Sequence, residues 1–400
     1  MKTILVLGGG WGGLTAAHTL RGLVPGDYRI AVIEKRQSFI FYPSFLPVII
    51  GEKVNLDYVE SPLKKLLRKD IEIINEDVIR INPETKTVYT NAQTIPCDFL
   101  IIATGAELYP DTIPGFNEFC LNLYDTKGAF DIHQKLKNFN KGKIAFLVTR
   151  TPFRCPPAPY EAALLTEWFM REKGVRQDVE ISIYSPEKQP MPVAGQQIGE
   201  AFNQLLKAHH INYYPEHSVT KIEGSSNKIL FSPKESSGTN NTETSYDLLI
   251  GVPPHGAPRS IVDSGLTDST GYIPVHPQTM QILENTDELT TRYPGVFAIG
   301  DITAIRLLNG ALLPKGGVFA EEQAHVVARN IVSEIKGEKI SAVFNGKGIC
   351  YVDVGDGLAA EGSGDFYAYP APYVNLEAPS KEGRKAKHEF ERLFEIWFTK

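Results

Sequence analysis

The chain opens on an unbroken apolar run, Thr3-Ile-Leu-Val-Leu7, followed at once by Gly8-Gly-Gly-Trp-Gly-Gly13. A continuous apolar run this short predicts a strand buried on both faces, and the Leu14–Leu20 segment after the glycines predicts a helix. Ile30–Ile33 predicts a second buried strand ending at Glu34. Asp98–Ala106 and Gly295–Asp301 predict two more, one running into a Thr-Gly turn and the other into Gly-Asp. Between these the pattern starts afresh. Strands at 143–148 and 179–184 alternate with helices at 160–171 and 202–209, a βαβα order that predicts a second Rossmann-like unit. Pro233–Ser245 is polar and reads as a solvated hairpin loop, after which Tyr246–Pro254 returns the chain towards the first unit. From 331 onward a third segment carries strand-forming residues at 348–354 and a final helix.

Gly8, Gly10 and Gly13 stand as G-x-G-x-x-G between strand and helix, with the acidic Glu34 about 20 positions on. The first glycine permits a tight turn, the second lets a pyrophosphate approach the backbone, and the third lets the helix pack closely. The helix N-terminus then faces the phosphates, and Glu34 can accept from a ribose hydroxyl. In the second unit the matching turn is Val148-Thr-Arg-Thr-Pro-Phe-Arg-Cys155-Pro-Pro-Ala-Pro-Tyr160-Glu161, which contains no glycine. Its prolines remove amide donors and block close approach, so a nicotinamide nucleotide is disfavoured there. Cys155 occupies this turn beside Arg154 and close to a helix start, both of which favour a thiolate.

Composition bounds the rest. A length of 400 residues exceeds what one core usually serves and favours two or three domains. Forty-one Lys and Arg against 47 Asp and Glu give a net charge of −6, without a long single-sign block, so nucleic acid is not an expected partner. Four cysteines are scattered at 97, 120, 155 and 350, and no Cys/His spacing suggests zinc, so no metal is expected and a reducing compartment fits. The apolar run before the glycines is too short for a signal-peptide core, and nowhere do about 18 uncharged apolar residues run together. The expectation is a chain on the cytoplasmic side that does not span a membrane.

The Ala103-Thr104-Gly105 turn and the Gly300-Asp301 motif resemble the paired signatures of the two-dinucleotide-binding flavoproteins, in which the chain returns to the FAD domain after an inserted second domain. That resemblance implies an α/β fold with two Rossmann-like dinucleotide-binding domains, the second inserted in the first, plus a C-terminal segment. The corresponding boundaries are 1–112 with 246–330 for the FAD domain, 113–245 for the second domain lacking the NAD fingerprint, and 331–400 for the C-terminal part. It also implies FAD, with Asp301 on its ribityl or pyrophosphate region; the other reading of Asp301 is a cap for the following helix. Adding Tyr42-Pro43-Ser44, the F-R-C-P-P-x-P-Y-E segment, Leu313-Pro-Lys-Gly-Gly317 and the late Cys350, the chain resembles the sulfide:quinone oxidoreductase and flavocytochrome c sulfide dehydrogenase family over nearly its whole length.

The resemblance implies a redox-active pair, Cys155 and Cys350, beside the flavin, with Cys120 as the third cysteine of quinone-reducing members. It places Pro43, Lys315 and Gly316 among the cofactor contacts. In the implied chemistry, hydrosulfide opens a Cys155–Cys350 bridge and the electrons pass through FAD to a quinone. Glu161 could move protons for incoming sulfide or could be a helix-N-terminal carboxylate. Lys315 could stabilise charge on reduced flavin or be a surface lysine. Tyr351, alternating with Cys350 along a strand, could line the quinone side. Phe390, Leu393, Phe394 and Trp397 recur at helical spacing, joined by Ile396 and Phe398, after Lys381, Arg384, Lys385 and Lys387. This suits peripheral membrane contact that admits quinone, or a helix packed on its own domain or on a partner in a homo-oligomer. The rival functions are a cytochrome-coupled sulfide dehydrogenase subunit, a type II NADH dehydrogenase-like protein and a non-catalytic thiol-switch flavoprotein.

Overall fold

The computed structural model describes residues 2–232 and 243–397, the last five as backbone only. The first unit is built on a five-stranded sheet in the order Val296–Ala298, Phe99–Ile102, Thr3–Leu7, Arg29–Ile33, Glu72–Ile74, with all neighbours parallel. Its central strands are apolar on both faces because helices and connections cover both. The helix Trp11–Leu23 packs along Gly317–Ile335. Gly12 makes this possible, and Gly13 lets the same helix start close to the strand. A Cβ on Gly13 would lie 1.9 Å from the Gly8 carbonyl oxygen, and one on Gly12 would lie 3.2 Å from the Ala320 methyl.

The second sheet runs Leu121–Asn122, Leu248–Val252, Gly142–Val148, Val179–Tyr184, Ile211–Tyr214, again all parallel. Its helices are Ala158–Glu172 and Gln196–Ala208. Leu248–Val252 is wholly buried and pairs with Ile144–Val148, so it belongs to this sheet and not to the first unit, where a boundary at 246 would put it. The physical reason is that a Leu-Leu-Ile-Gly-Val run must be covered on both faces, and the second sheet covers it before the chain crosses back. The expected polar loop at 233–245 falls, except for Glu243–Ser245, outside the described residues; those three form a strand paired with Lys228–Phe231.

The third segment is an antiparallel sheet of Lys347–Gly355, Leu358–Asp365 and Tyr373–Leu376, packed on the helix Ala158–Glu172 and covered by the helix Lys381–Trp397. Val352, Val354 and Ala360 join the core of the second unit and Phe344 and Phe366 that of the first, so the segment packs on both. No helix among the described residues is long and apolar enough to cross a membrane.

Candidate active site

One cavity of about 1030 Å³ lies where the glycine loop, the Ala103–Gly105 turn, the Gly300–Asp301 turn, the start of the helix Ala158–Glu172 and the edge strand Lys347–Gly355 converge. Gly8, Gly10, Glu34, Pro43, Thr104, Gly105, Gly300, Asp301, Lys315, Gly316, Cys155, Glu161, Cys350 and Tyr351 all line it. Gly13 does not, because it is spent on packing helix against strand. The volume is at the upper end of ligand pockets and exceeds what a small substrate alone needs.

The walls fit a dinucleotide. Gly10 has ordinary extended dihedrals (φ −82°, ψ −172°), and a Cβ there would meet nothing within 4 Å. Neither backbone nor protein packing requires glycine at this helix N-terminus, so the space it leaves is space for a ligand. Glu34 is buried, and its carboxylate accepts from the Gly9 amide at 2.9 Å and from the amide and guanidinium of Arg36 at 3.0 and 3.1 Å. Burial pushes its pKa up, but the Arg36 charge and these bonds outweigh burial and hold it below the usual range. Thr104 leaves a buried hydroxyl without a protein partner. Asp301 sits in a short turn, Gly300–Ile302, and the next helix begins only at Gly317, so Asp301 caps no helix. Lys315 is 4% exposed, which removes its reading as a surface lysine. Its Nζ donates to the carbonyls of Asp301 at 2.6 Å and Thr303 at 3.3 Å and stands 3.4 Å over the Tyr272 ring, and burial lowers its pKa to about 8.

Cys155 is held in a left-handed conformation, φ +51°. Its amide donates to the Lys315 carbonyl at 2.8 Å, and its carbonyl accepts from the Ala158 amide at 2.9 Å and the Tyr124 hydroxyl at 3.3 Å. Cys350 faces Gly362 across the sheet, and a Cβ on Gly362 would come within 3.1 Å of its sulfur. Cys155 and Cys350 are both exposed on the cavity wall, and no disulfide joins any of the four cysteines in this structure. The expected thiolate at Cys155 meets an opposing influence. Burial, with the charge of Glu161 adding to it, pushes Cys155 up to about 12 and Cys350 up to about 11. Arg154 does not counter this, because its guanidinium lies 3.7 Å over the Tyr42 ring.

Cys120 is corrected here. It lies in a separate core with Ile113, Phe116 and Tyr246, off the cavity wall, and burial raises its pKa well above the ordinary value. The close approach of Gly251, where a Cβ would be 2.4 Å from the Cys120 sulfur, explains its position as packing. Cys97 is likewise a packing residue, its thiol donating to the Lys86 carbonyl at 3.2 Å.

Glu161 is buried, and its carboxylate accepts from Lys387 of the C-terminal helix rather than from a backbone amide. Burial raises its pKa, and Lys387 opposes that. Lys387 also stands 3.7 Å from Asp353, which pairs with Arg384; Arg384 reaches Glu52 at 2.8 Å, and Lys53 reaches Glu391 at 3.1 Å. Arg384 and Lys387 are therefore spent in ion pairs with the protein, and the basic approach expected of this helix retains Lys381 and Lys385 as exposed charges. Phe390 stacks on Trp11 with ring centres 5.8 Å apart and stands 6.0 Å from Tyr351, all three on the cavity wall. The side chains of Leu393, Phe394, Ile396 and Trp397, and all of Phe398, lie outside the described residues. Lys387 was missed in the sequence although a signal exists: Gly383, Lys387, Phe390 and Glu391 share one helix face by spacing, and charges on a buried face need partners.

Comparison with known proteins places the chain in a family. The pyridine nucleotide-disulphide oxidoreductase family matches residues 2–145 and 165–326. The chain is similar to a sulfide-quinone reductase of Aquifex aeolicus, 27% identical over 99% of this chain and 90% of that one. It is similar to a mitochondrial sulfide:quinone oxidoreductase of Dictyostelium discoideum, 25% identical over 87% of this chain and 74% of that one. The crystal structure of the Aquifex aeolicus sulfide:quinone oxidoreductase superposes with a TM-score of 0.85 at 25% identity, covering 100% of this chain and 92% of that one.

Proposed function

From the premise that the chain belongs to the pyridine nucleotide-disulphide oxidoreductase family, we propose that it is an FAD-dependent sulfide:quinone oxidoreductase. One observation carries the reading: two cysteines 195 positions apart, Cys155 and Cys350, share a cavity wall with the glycine loop, Glu34 and Lys315. FAD, when bound, supplies a two-electron relay between sulfide and quinone. Gly8 and Gly10 would receive its pyrophosphate, Glu34 a ribose, Asp301 its ribityl side, and Pro43, Thr104, Gly105, Gly300 and Gly316 its remaining edges.

Hydrosulfide attacks one sulfur of a Cys155–Cys350 disulfide. The bond between the cysteines breaks, a new sulfur–sulfur bond forms to the incoming sulfide, and the other cysteine leaves as a thiolate. One cysteine then carries a persulfide, and a further hydrosulfide removes its outer sulfur as HSS−, leaving both cysteines reduced; the flavin, when bound, would take their two electrons and so allow the bridge to re-form. Glu161 takes the proton carried in on hydrosulfide, with Lys387 donating to its carboxylate. Lys315 offers a buried ammonium beside the Gly300–Asp301 turn, suited to balancing negative charge on a reduced cofactor. Tyr351 and Phe390 form an apolar aromatic wall suited to a quinone ring, and the C-terminal helix a peripheral contact with the bilayer.

Anaerobic titration with sulfide tests the reading. The flavin should bleach at about one sulfide per two electrons and recover on addition of decylubiquinone, whereas NADH should leave it oxidised. Bleaching by NADH, or no bleaching by sulfide, would reject it.

A further inference from the structure

Both units are five-stranded parallel sheets with a helix after the central strand, and the comparison within one molecule isolates a substitution. In the first unit the strand Thr3–Leu7 leads to a helix whose third residue is Gly13, and the strand Arg29–Ile33 is followed by Glu34. In the second, Gly142–Val148 leads to a helix, Ala158–Glu172, whose third residue is Tyr160, and Val179–Tyr184 is followed after two residues by Glu187. An acidic residue at the end of the second strand, next to the N-terminus of the first helix, is where a dinucleotide fold holds ribose hydroxyls.

Glu187, three residues past its strand where Glu34 is one, is already engaged. The Tyr160 hydroxyl donates to its carboxylate at 2.6 Å and the Ser185 hydroxyl at 3.0 Å. Tyr160 is 0% exposed, its ring 5.6 Å from that of Phe202 and 6.0 Å from that of Tyr213. In the first unit no side chain could stand at the matching place, since a Cβ on Gly13 would be 1.9 Å from a carbonyl. The longer turn 149–157 gives the second unit the room that the turn 8–10 denies the first.

We propose that Tyr160 is a specificity-determining residue: its hydroxyl occupies the ribose-binding position on Glu187 and closes the second unit to nicotinamide dinucleotides from within. The acid survives, and the protein supplies the hydroxyl that a ribose would have supplied. This block is separate from the missing amides of the proline-rich turn, so the two must be varied independently.

The test uses the flavin-loaded full chain with NADH as probe, followed by calorimetry and by NADH fluorescence. Four proteins are compared: wild type, Pro156→Gly with Pro157→Gly, Tyr160→Ala, and the three substitutions together. The triple variant should bind NADH at least 10-fold more tightly than any of the others, and adding Glu187→Gln should abolish the gain. If the glycine turn binds NADH equally well with Tyr160 in place, Tyr160 is not the block and the proposal fails. It fails equally if the triple variant keeps its flavin and melts cooperatively yet binds no NADH. Should alanine at 160 prevent folding, Tyr160→Phe in the glycine-turn background keeps the ring and frees Glu187. That variant should bind NADH at least threefold more tightly than its parent, and an unchanged affinity overturns the proposal.

Discussion

Lys387→Met probes how the C-terminal helix is tied to the cysteine site. The lysine is 8% exposed in its side chain and Glu161 is 3% exposed, so the pair is shielded from water. Methionine keeps the apolar stem and removes the charge. Asp353 retains Arg384 as a partner, whereas Glu161 loses the cation bonded to its carboxylate. Removing one member of a buried pair costs about 3–5 kcal/mol, because the other is left charged and desolvated. Unfolding entropy of about 2.1 cal/mol/K per residue amounts to roughly 0.84 kcal/mol/K over 400 residues, so the melting temperature should fall by about 4–6 °C if the chain unfolds as one unit.

The loss must also depend on pH. The folded pKa of Glu161 lies above its ordinary value, so the native state holds the extra proton, and that contribution is lost as pH rises through the folded pKa. Without Lys387 the folded pKa rises further. The gap between variant and wild type should therefore shrink as pH falls, because a protonated Glu161 no longer needs the cation. Calorimetry of the flavin-loaded proteins between pH 5 and 8 measures this, with Lys387→Arg expected to retain most of the stability. A melting temperature unchanged within 1 °C, or a deficit constant across pH, would refute the assignment of Lys387 to Glu161.

Cys155→Ser and Cys350→Ser should each cut sulfide-dependent quinone reduction by at least about 100-fold while leaving flavin bound, because serine has no accessible redox couple. Cys97→Ser and Cys120→Ser should leave turnover within about twofold, since neither thiol lines the cavity; Cys120→Ser should nonetheless lower the melting temperature, because burying a hydroxyl costs about 1–3 kcal/mol. Gly10→Val should abolish flavin retention, measured by absorbance after desalting, while the apoprotein stays folded, since the new side chain meets no protein atom and fills only ligand space. Truncation after Arg392 spares Phe390, Glu391 and Lys387, so it should weaken flotation with liposomes and slow long-tailed quinones more than short-tailed ones while leaving sulfide reduction of the flavin intact. Equal flotation would remove the lipid contact.

What could be read in the sequence, and what could not, divides by how local the information is. The glycine loop was legible because its turn, its helix and its acid are contiguous, and each glycine answers to a separate steric demand. The buried strands were legible for the same reason, and 179–184 falls on the observed strand. The placement of Leu248–Val252 in the second sheet was not, because an apolar run states that it must be covered and not by which sheet. Cys155 and Cys350 were paired only by resemblance to a family, since nothing in their spacing reports that a turn and an edge strand meet. The same silence misplaced Cys120, whose position in the chain carries no information about the Phe116 and Tyr246 packing around it.

The C-terminal helix was misread in a more instructive way. Its basic residues were counted as a cluster near an aromatic face, when the useful question was which face each one occupies. Lys387 and Glu391 lie on the same side as Gly383 and Phe390, the side that is buried, and a charge there is tolerable only against an opposite charge. The consequence reaches the chemistry. Lys387 and Phe390 are one turn apart, one bonded to the carboxylate beside the cysteine pair and the other stacked on Trp11 at the cavity wall. A lipid surface that drew this helix outward would therefore strip Glu161 of its cation and open the aromatic wall in the same movement, whereas one that pressed it inward would tighten both. Under the proposed function, membrane contact and sulfur chemistry would be joined through a single helical turn, and the Lys387→Met and Arg392 truncation variants perturb that turn from its two ends.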